Sequence, residues 1–496
     1  MQAEHCDKCG KLTTEPHNWG RLYRETTEIQ KNPNNVNRED YLLCLWRRPL
    51  QLLSIGKAFF TPKCKFEFRN ISQCRYCRHK CYYIQTRQKR NITYNEANDT
   101  LTYEEYMYFE FDAEKSYPNS ENDTVVVVNA ALNVLFNMLS SIFPENLQYL
   151  IDKTWQNVFP DTETLFHTVQ VGDILFNGYR FCDPQQYQNI SAIEDFAWLV
   201  CSTFRLLNVP VLETEDDGSL NFAFFKWKQG KHSGVFNIGA GIKDVSKLGL
   251  IHSWNGYFYL DMWKGQLSSC NKVRGRDSVL YQPFLKEDEE VDIFAVDICR
   301  VSSIYYVRDE EVLNIKGQRR KLREDTFSIS QNSGNECFCT DTVRDLYGEQ
   351  KCLPDGFFDL QPCFGAPIVG SFPHFLYGDD NYTSTVRGLN PNEESHETYA
   401  ILEPITGTPL AGYKRIQFNA ILKPLQGVNV TQVRNTMLPI LWVEEGVEIN
   451  DELADIFKSK FLNVLQAAEI LKWVLIGVGG AVFIGFGSNF THKMEE

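Results

Sequence analysis

The chain has 496 residues, 43% of them hydrophobic and 13% aromatic, and a formal net charge of −14. Such acidity excludes the basic stripe that a nucleic-acid binder needs, while the length allows one large domain or two or three ordinary ones. The 34 Phe and 23 Tyr suit a β-rich body with a large apolar interior, packed or hollow.

Residues 1–86 are unlike the rest. They hold seven cysteines, Cys6, Cys9, Cys44, Cys64, Cys74, Cys77 and Cys81, in a stretch with two C-x-x-C pairs, HCDKC and CRYCRHKC. Paired thiolates at this spacing suit zinc, but the pairs lie too far apart for a compact ribbon, so no metal site is expected. The stretch shows no signal peptide. It is taken as an atypical N-terminal region that derives from an altered or mispredicted transcript.

From residue 87 the pattern settles. Thr100 to Phe111 (TLTYEEYMYFEF) predicts a strand. Asn129 to Phe159 predicts two helices, with stripes at Leu132, Leu135, Met138, Leu139 and Ile142 and at Leu147, Leu150, Ile151, Trp155 and Val158. Lys153 falls about 130° from the centre of the second stripe, which points its ammonium to solvent. A capping box at Ser191 and Glu194 opens a further helix.

Short strands follow at FAFFKW, GVFNIGAG, GYFYLDMW (Gly256 to Trp263), VDIFAVDI, SSIYYV, YAILEPI and KRIQFNAILKPL. The charged runs KEDEE (Lys286 to Glu290) and KGQRRKLRED (Lys316 to Asp325) read as solvated loops. A capped helix from Asn450 leads into Trp473 to Phe490, 18 residues without a charge, which reaches spanning length with the residues before it. This gives an ectodomain over 87–467, a transmembrane helix over 468–490 and a short tail over 491–496.

Compartment follows from glycans and thiols. N-x-S/T sites at Asn91, Asn98, Asn122, Asn189, Asn381 and Asn429 are the expected glycosylation positions. Six cysteines, Cys270, Cys299, Cys337, Cys339, Cys352 and Cys363, cluster within residues 270–363 as a disulfide framework of an oxidising compartment. Six cysteines allow 15 pairings.

The stretches WNGYFYLDMWKGQLSSCNKVRGRDSVLYQPFL, CFC, CLPDGFFDLQPCFGAPIVGSFPHF and LEPITGTPLAGYKRIQFNA, with the C-terminal anchor, resemble the class B scavenger receptor family. That family includes the fatty acid translocase, the high-density lipoprotein receptor, croquemort and the sensory neuron membrane proteins. The resemblance covers roughly residues 87 to 490. It implies a β-rich α+β fold: a large antiparallel β-barrel ectodomain, an apical helical bundle (about residues 129–207) and an internal lipid tunnel. Carried onto these cysteines, the family order implies Cys270–Cys337, Cys299–Cys363 and Cys339–Cys352, with Cys182 and Cys201 left to pair or stay reduced. Lys153 stands where family members place a ligand-binding lysine. Nothing in residues 1–86 matches the family's first transmembrane helix.

The function implied is a plasma-membrane receptor that takes lipids or lipoproteins at the apex and passes apolar lipid through the tunnel. Its partners are fatty acids, sterols, carotenoids or lipid pheromones, lipoproteins or anionic cell surfaces, and the membrane itself; homo-oligomerisation is left open. The alternatives are a protein-docking or sorting receptor, with an endosomal or lysosomal location, and a lipid-pheromone co-receptor in sensory cells. No catalytic residue and no cofactor are expected: the chain has neither G-x-S-x-G nor H-E-x-x-H, and His374 is read as structural.

Overall fold

The computed structural model describes residues 63–69, 78–142, 155–160, 162–187, 192–207, 209–340, 345–347, 349, 352–425, 428–431 and 433–492. Its strands are β1 (Lys63–Arg69), β2 (Arg78–Asn95), β3 (Thr100–Phe111), β4 (Thr124–Val128), β5 (Phe166–Gln170), β6 (Tyr179–Phe181), β7 (Leu212–Thr214), β8 (Leu220–Phe222) and β9 (His232–Gly239). They continue as β10 (Ile251–Trp254), β11 (Val291–Ala295), β12 (Arg300–Val312), β13 (Ile315–Leu322), β14 (Phe357–Asp359), β15 (Val369–Ser371), β16 (Tyr399–Leu402), β17 (Pro409–Leu422) and β18 (Thr436–Glu448).

Thirteen strands form one sheet, with the path β10-β9-β3-β2-β1-β18-β17-β16-β13-β12-β11 and with β15 bonded to both β14 and β17. Every strand pairing is antiparallel. Alternation decides which face is covered: in β3, Leu101, Tyr103, Glu105 and Met107 are buried, every second residue. Among the described residues no strand pairing joins the ends, β10 and β11. Both instead bond to one short segment. Ile251 N–H donates to the Gly275 carbonyl, Arg276 N–H to Asp292 and Phe294 N–H to Arg276.

The sheet begins earlier than the sequence boundary near residue 87. β1 and the first half of β2 lie N-terminal to it, with Phe66 opposite both Cys81 and Val443. Cys81 is therefore a buried strand residue with a free thiol.

Two helices pack at one end: α1 (Ala130–Ile142) and α2 (Ala192–Leu207). Their buried faces, including Leu132, Leu135, Val200 and Phe204, join Phe418 and Leu441 of the sheet in the largest core. A second core gathers Leu101, Tyr103, Phe236 and Trp263 beside Cys270 and Cys299. At the opposite end Asn450 caps α3 (Asp451–Phe457), accepting from Leu453 N–H. A wider turn leads on to α4 (Asn463–His492). Ile470, Leu471, Trp473, Val474, Leu475, Ile476 and Val478 of α4 are exposed, and the helical run is long and apolar enough to cross a membrane.

Three sequence expectations need correction. FAFFKW is a strand only to Phe222 and then forms a short helical turn, Lys226–Lys228. GYFYLDMW is a loop stitched by isolated bridges, Trp254 to Tyr257 and Tyr259 to Lys272. KGQRRKL, expected in solvent, is β13, with Arg319 and Arg320 fully buried. These arginines are tolerated because acceptors surround them. Arg319 meets Glu397 at 2.9 Å and Glu310 at 3.3 Å, and Arg320 bonds the carbonyls of Lys286 and Glu289 in the KEDEE loop.

Candidate functional site: charges inside the sheet

The turn Val296–Ile298 joins β11 to β12 and turns Asp297 into the interior. Asp297 accepts from Lys228, on the short turn after β8, and from Lys414 of β17. Lys414 also pairs with Glu445 at 2.9 Å, its cross-strand neighbour in β18. Because successive residues point to opposite faces, Arg415 and Glu444 form a separate pair, at 2.7 Å, on the other side. Arg87 of β2 bonds Glu445 and also Glu105 of β3, the latter at 3.0 Å. Nearby, Lys89 and the Tyr103 hydroxyl both donate to Asp277. The interior thus holds four cations and four carboxylates, each charge facing an opposite one.

The network is unevenly accessible: 38% of the Lys414 side chain and 24% of the Asp297 side chain reach solvent, against 8% of Lys228 and 18% of Arg87.

Electrostatics keep the network ionised. Burial opposes the charge on Asp297, but Lys228, Lys414 and Arg87 outweigh it and hold its carboxyl well below the usual range. Glu445 likewise overcomes burial through Arg87 and Lys414 and falls to about 2. Burial opposes the charges on Lys414 and Arg87, and their facing carboxylates raise both nonetheless. Glu105 is the exception: burial wins over Arg87 and Lys89, and its carboxyl is raised.

The disulfide framework grips the same turn. Cys299, two residues after Asp297, bonds Cys363; Cys270 bonds Cys337, and Cys339 bonds Cys352. A fourth bond joins Cys182 to Cys201, the two residues that the sequence left open. Phe338, between Cys337 and Cys339, is thereby set over Arg300, with the guanidinium carbon 3.6 Å from the ring centre. Trp263, Phe358 and Phe327 complete the cage. Burial lowers the Arg300 pKa to about 9, partly offset by Asp359, and its buried Nε has no hydrogen-bond partner among the described residues. Arg300 lines a cleft of about 20 Å3, room for about one water molecule.

Of the residues singled out by sequence, Lys153 and Asn189 lie outside the described residues, as do both C-x-x-C pairs. Asn91, Asn98, Asn122, Asn381 and Asn429 are exposed. His374 is at φ 57°, stacks on His396 and accepts from Asn390 N–H through Nδ1, a loop-fastening role. Sequence reasoning missed the whole ion network. Its signal was present: charges interrupt apolar strand runs, one at Asp297 (FAVDIC) and adjacent pairs at Lys414–Arg415 (GYKRIQF) and Glu444–Glu445 (LWVEEG).

A disulfide-clamped antiparallel sheet that ends in an apolar, membrane-length helix defines a membrane-anchored β-rich protein. Residues 81–489 match the CD36 family, and the chain belongs to that family, whose members are the class B scavenger receptors. It is 30% identical to sensory neuron membrane protein 2 of Anopheles gambiae, over 80% of this chain and 76% of the relative. For sensory neuron membrane protein 2 of Drosophila melanogaster the identity is 29%, over 81% of each. For sensory neuron membrane protein 1 of Ostrinia nubilalis it is 27%, over 84% and 75%. The chain is accordingly a scavenger-type membrane receptor.

Proposed function

We propose that this receptor takes up lipid amphiphiles at its helical end and conducts them through the interior of its sheet toward the membrane. The observation that carries the reading is a set of charges on the inward face of the sheet, of which Lys414 and Asp297 keep accessible surface, as the lining of an internal passage would. The Gly275–Asp277 segment, bonded to both end strands, supports a closed barrel around that passage. A passage matters because each methylene kept out of water is worth about 0.8 kcal/mol. The ectodomain in this reading runs from β1 to residue 467, with Lys153 at the receiving apex, glycans on the exposed asparagines and the plasma membrane as location.

Mass spectrometry of lipids co-purifying with the full chain tests this. A stoichiometric amphiphile is expected, lost when Lys414→Trp narrows the space. A preparation free of lipid that also fails to take up added fatty acid or sterol would end the proposal. A second reading, a lipid co-receptor in sensory cells, draws on the names of the sensory neuron membrane protein relatives. Expression confined to sensory neurons would support it.

A further inference from the structure

The end of the sheet from which the C-terminal helix departs carries apolar side chains in solvent. β18 finishes at Glu448, and Ala454 of α3 packs with Ile449 on Ile315, Ile401 and Leu410. The tip of the β12–β13 hairpin and the turn between β16 and β17 therefore stand beside the root of the anchor. At these tips Leu313 is 38% exposed and Ile405 42%. A third loop is fastened to them. Phe284 N–H donates to the Ile405 carbonyl at 3.2 Å, Leu285 N–H to Pro404 at 2.8 Å, and Phe284 is 64% exposed.

Two of the three are held in the left-handed backbone region, Leu313 at φ 47° and Phe284 at φ 60°. Bulky L-residues adopt it only at a cost in backbone strain. The hairpin turn Leu313–Asn314, with both residues at positive φ, is of the kind that usually takes Asn-Gly. Folding for its own sake gives no reason to place leucine there, or phenylalanine on the neighbouring loop, facing water. Continuity with the anchor supplies one.

We propose that Phe284, Ile405 and Leu313 form a second membrane contact, dipping into the interfacial layer of the bilayer in which α4 is anchored. The partner is a neutral, zwitterionic lipid surface. The largely exposed run Lys286–Glu290 starts two residues after Phe284 and carries one positive and four negative charges, which keeps the insertion shallow and disfavours anionic headgroups. Aromatic and branched apolar tips suit that layer, where an apolar side chain gains burial and the backbone stays hydrated. The contact fixes the tilt of the ectodomain over the membrane. The inference rests on reading α4 as a membrane anchor.

The test uses the full chain in phosphatidylcholine nanodiscs, with p-benzoylphenylalanine placed singly at Phe284, Ile405, Tyr257 or Trp473. Tyr257 is equally exposed but lies beyond the far end of β10. After irradiation, lipid adducts are expected at 284, 405 and 473, several-fold above those at 257, with no rise at 284 when phosphatidylserine is added. Adducts at 473 with 284 and 405 no higher than 257 would overturn the contact and leave the anchor standing. No adduct at 473 would overturn the anchor and the contact together. Protein rather than lipid adducts at 284 would assign the patch to a protein partner.

Discussion

Replacing Asp297 by asparagine strands a lysine. Lys414 keeps Glu445 at 2.9 Å, but among the described residues Asp297 is the sole carboxylate paired with Lys228, which is 8% accessible. Removing one member of a buried pair costs about 3–5 kcal/mol, because the remaining charge is neither hydrated nor paired. Lys228→Met is milder, roughly 2 kcal/mol, since Asp297 retains Lys414 and the Arg87 field. The double variant removes the stranded charge and is expected to be more stable than Asp297→Asn alone. The coupling is then about 2 kcal/mol or more in favour of the double variant.

The full chain in detergent can be ranked by urea midpoint and by Tm at one fixed scan rate, since unfolding of such a protein is expected to be irreversible. If the two single costs simply add, the charges act independently and the network is not one. If Asp297→Asn costs under about 1 kcal/mol, water reaches and hydrates Lys228, and the pair behaves as a surface salt bridge.

Two further outcomes follow from single buried groups. Arg300 is caged by rings with no salt bridge among the described residues, so its desolvation and its cation–π gains nearly cancel. Arg300→Met is expected to shift stability by less than about 1 kcal/mol; a loss above about 3 kcal/mol in urea would reveal a bound anion in the cleft. His167, edge-on to Tyr179, has its pKa lowered by burial to about 4. It is neutral in the fold and protonates more readily when unfolded, so its contribution is whole above pH 6.5 and is lost as pH falls toward 4. Between pH 7 and 5 the loss is about 2 kcal/mol. His167→Phe should flatten that part of the Tm-against-pH curve, and an unchanged slope would remove His167 as its source.

Much of the molecule was legible in the chain. β3 falls where the alternation of TLTYEEYMYFEF places it, residue for residue, because an amphipathic strand carries its own period. The C-terminal helix was equally plain, since eighteen uncharged residues have few other homes. Motif order supplied the family and, through it, the cysteine pairing, which residue spacing alone left among many.

What local pattern could not supply was the fate of charges. KGQRRKL in β13 and the loop KEDEE look alike in sequence, both polar and both charged. One becomes a central strand because Glu397, Glu310 and the carbonyls of the other are waiting for its arginines. Arg87, Asp297, Lys414 and Glu445, spread over more than 350 residues of chain, become an interior network only when β2, β17, β18 and the β11–β12 turn meet. Period along the chain determined which residues face inward. Whether an inward charge is an error or a site depends on the partner across the sheet, and only the tertiary structure brings that partner within 3 Å.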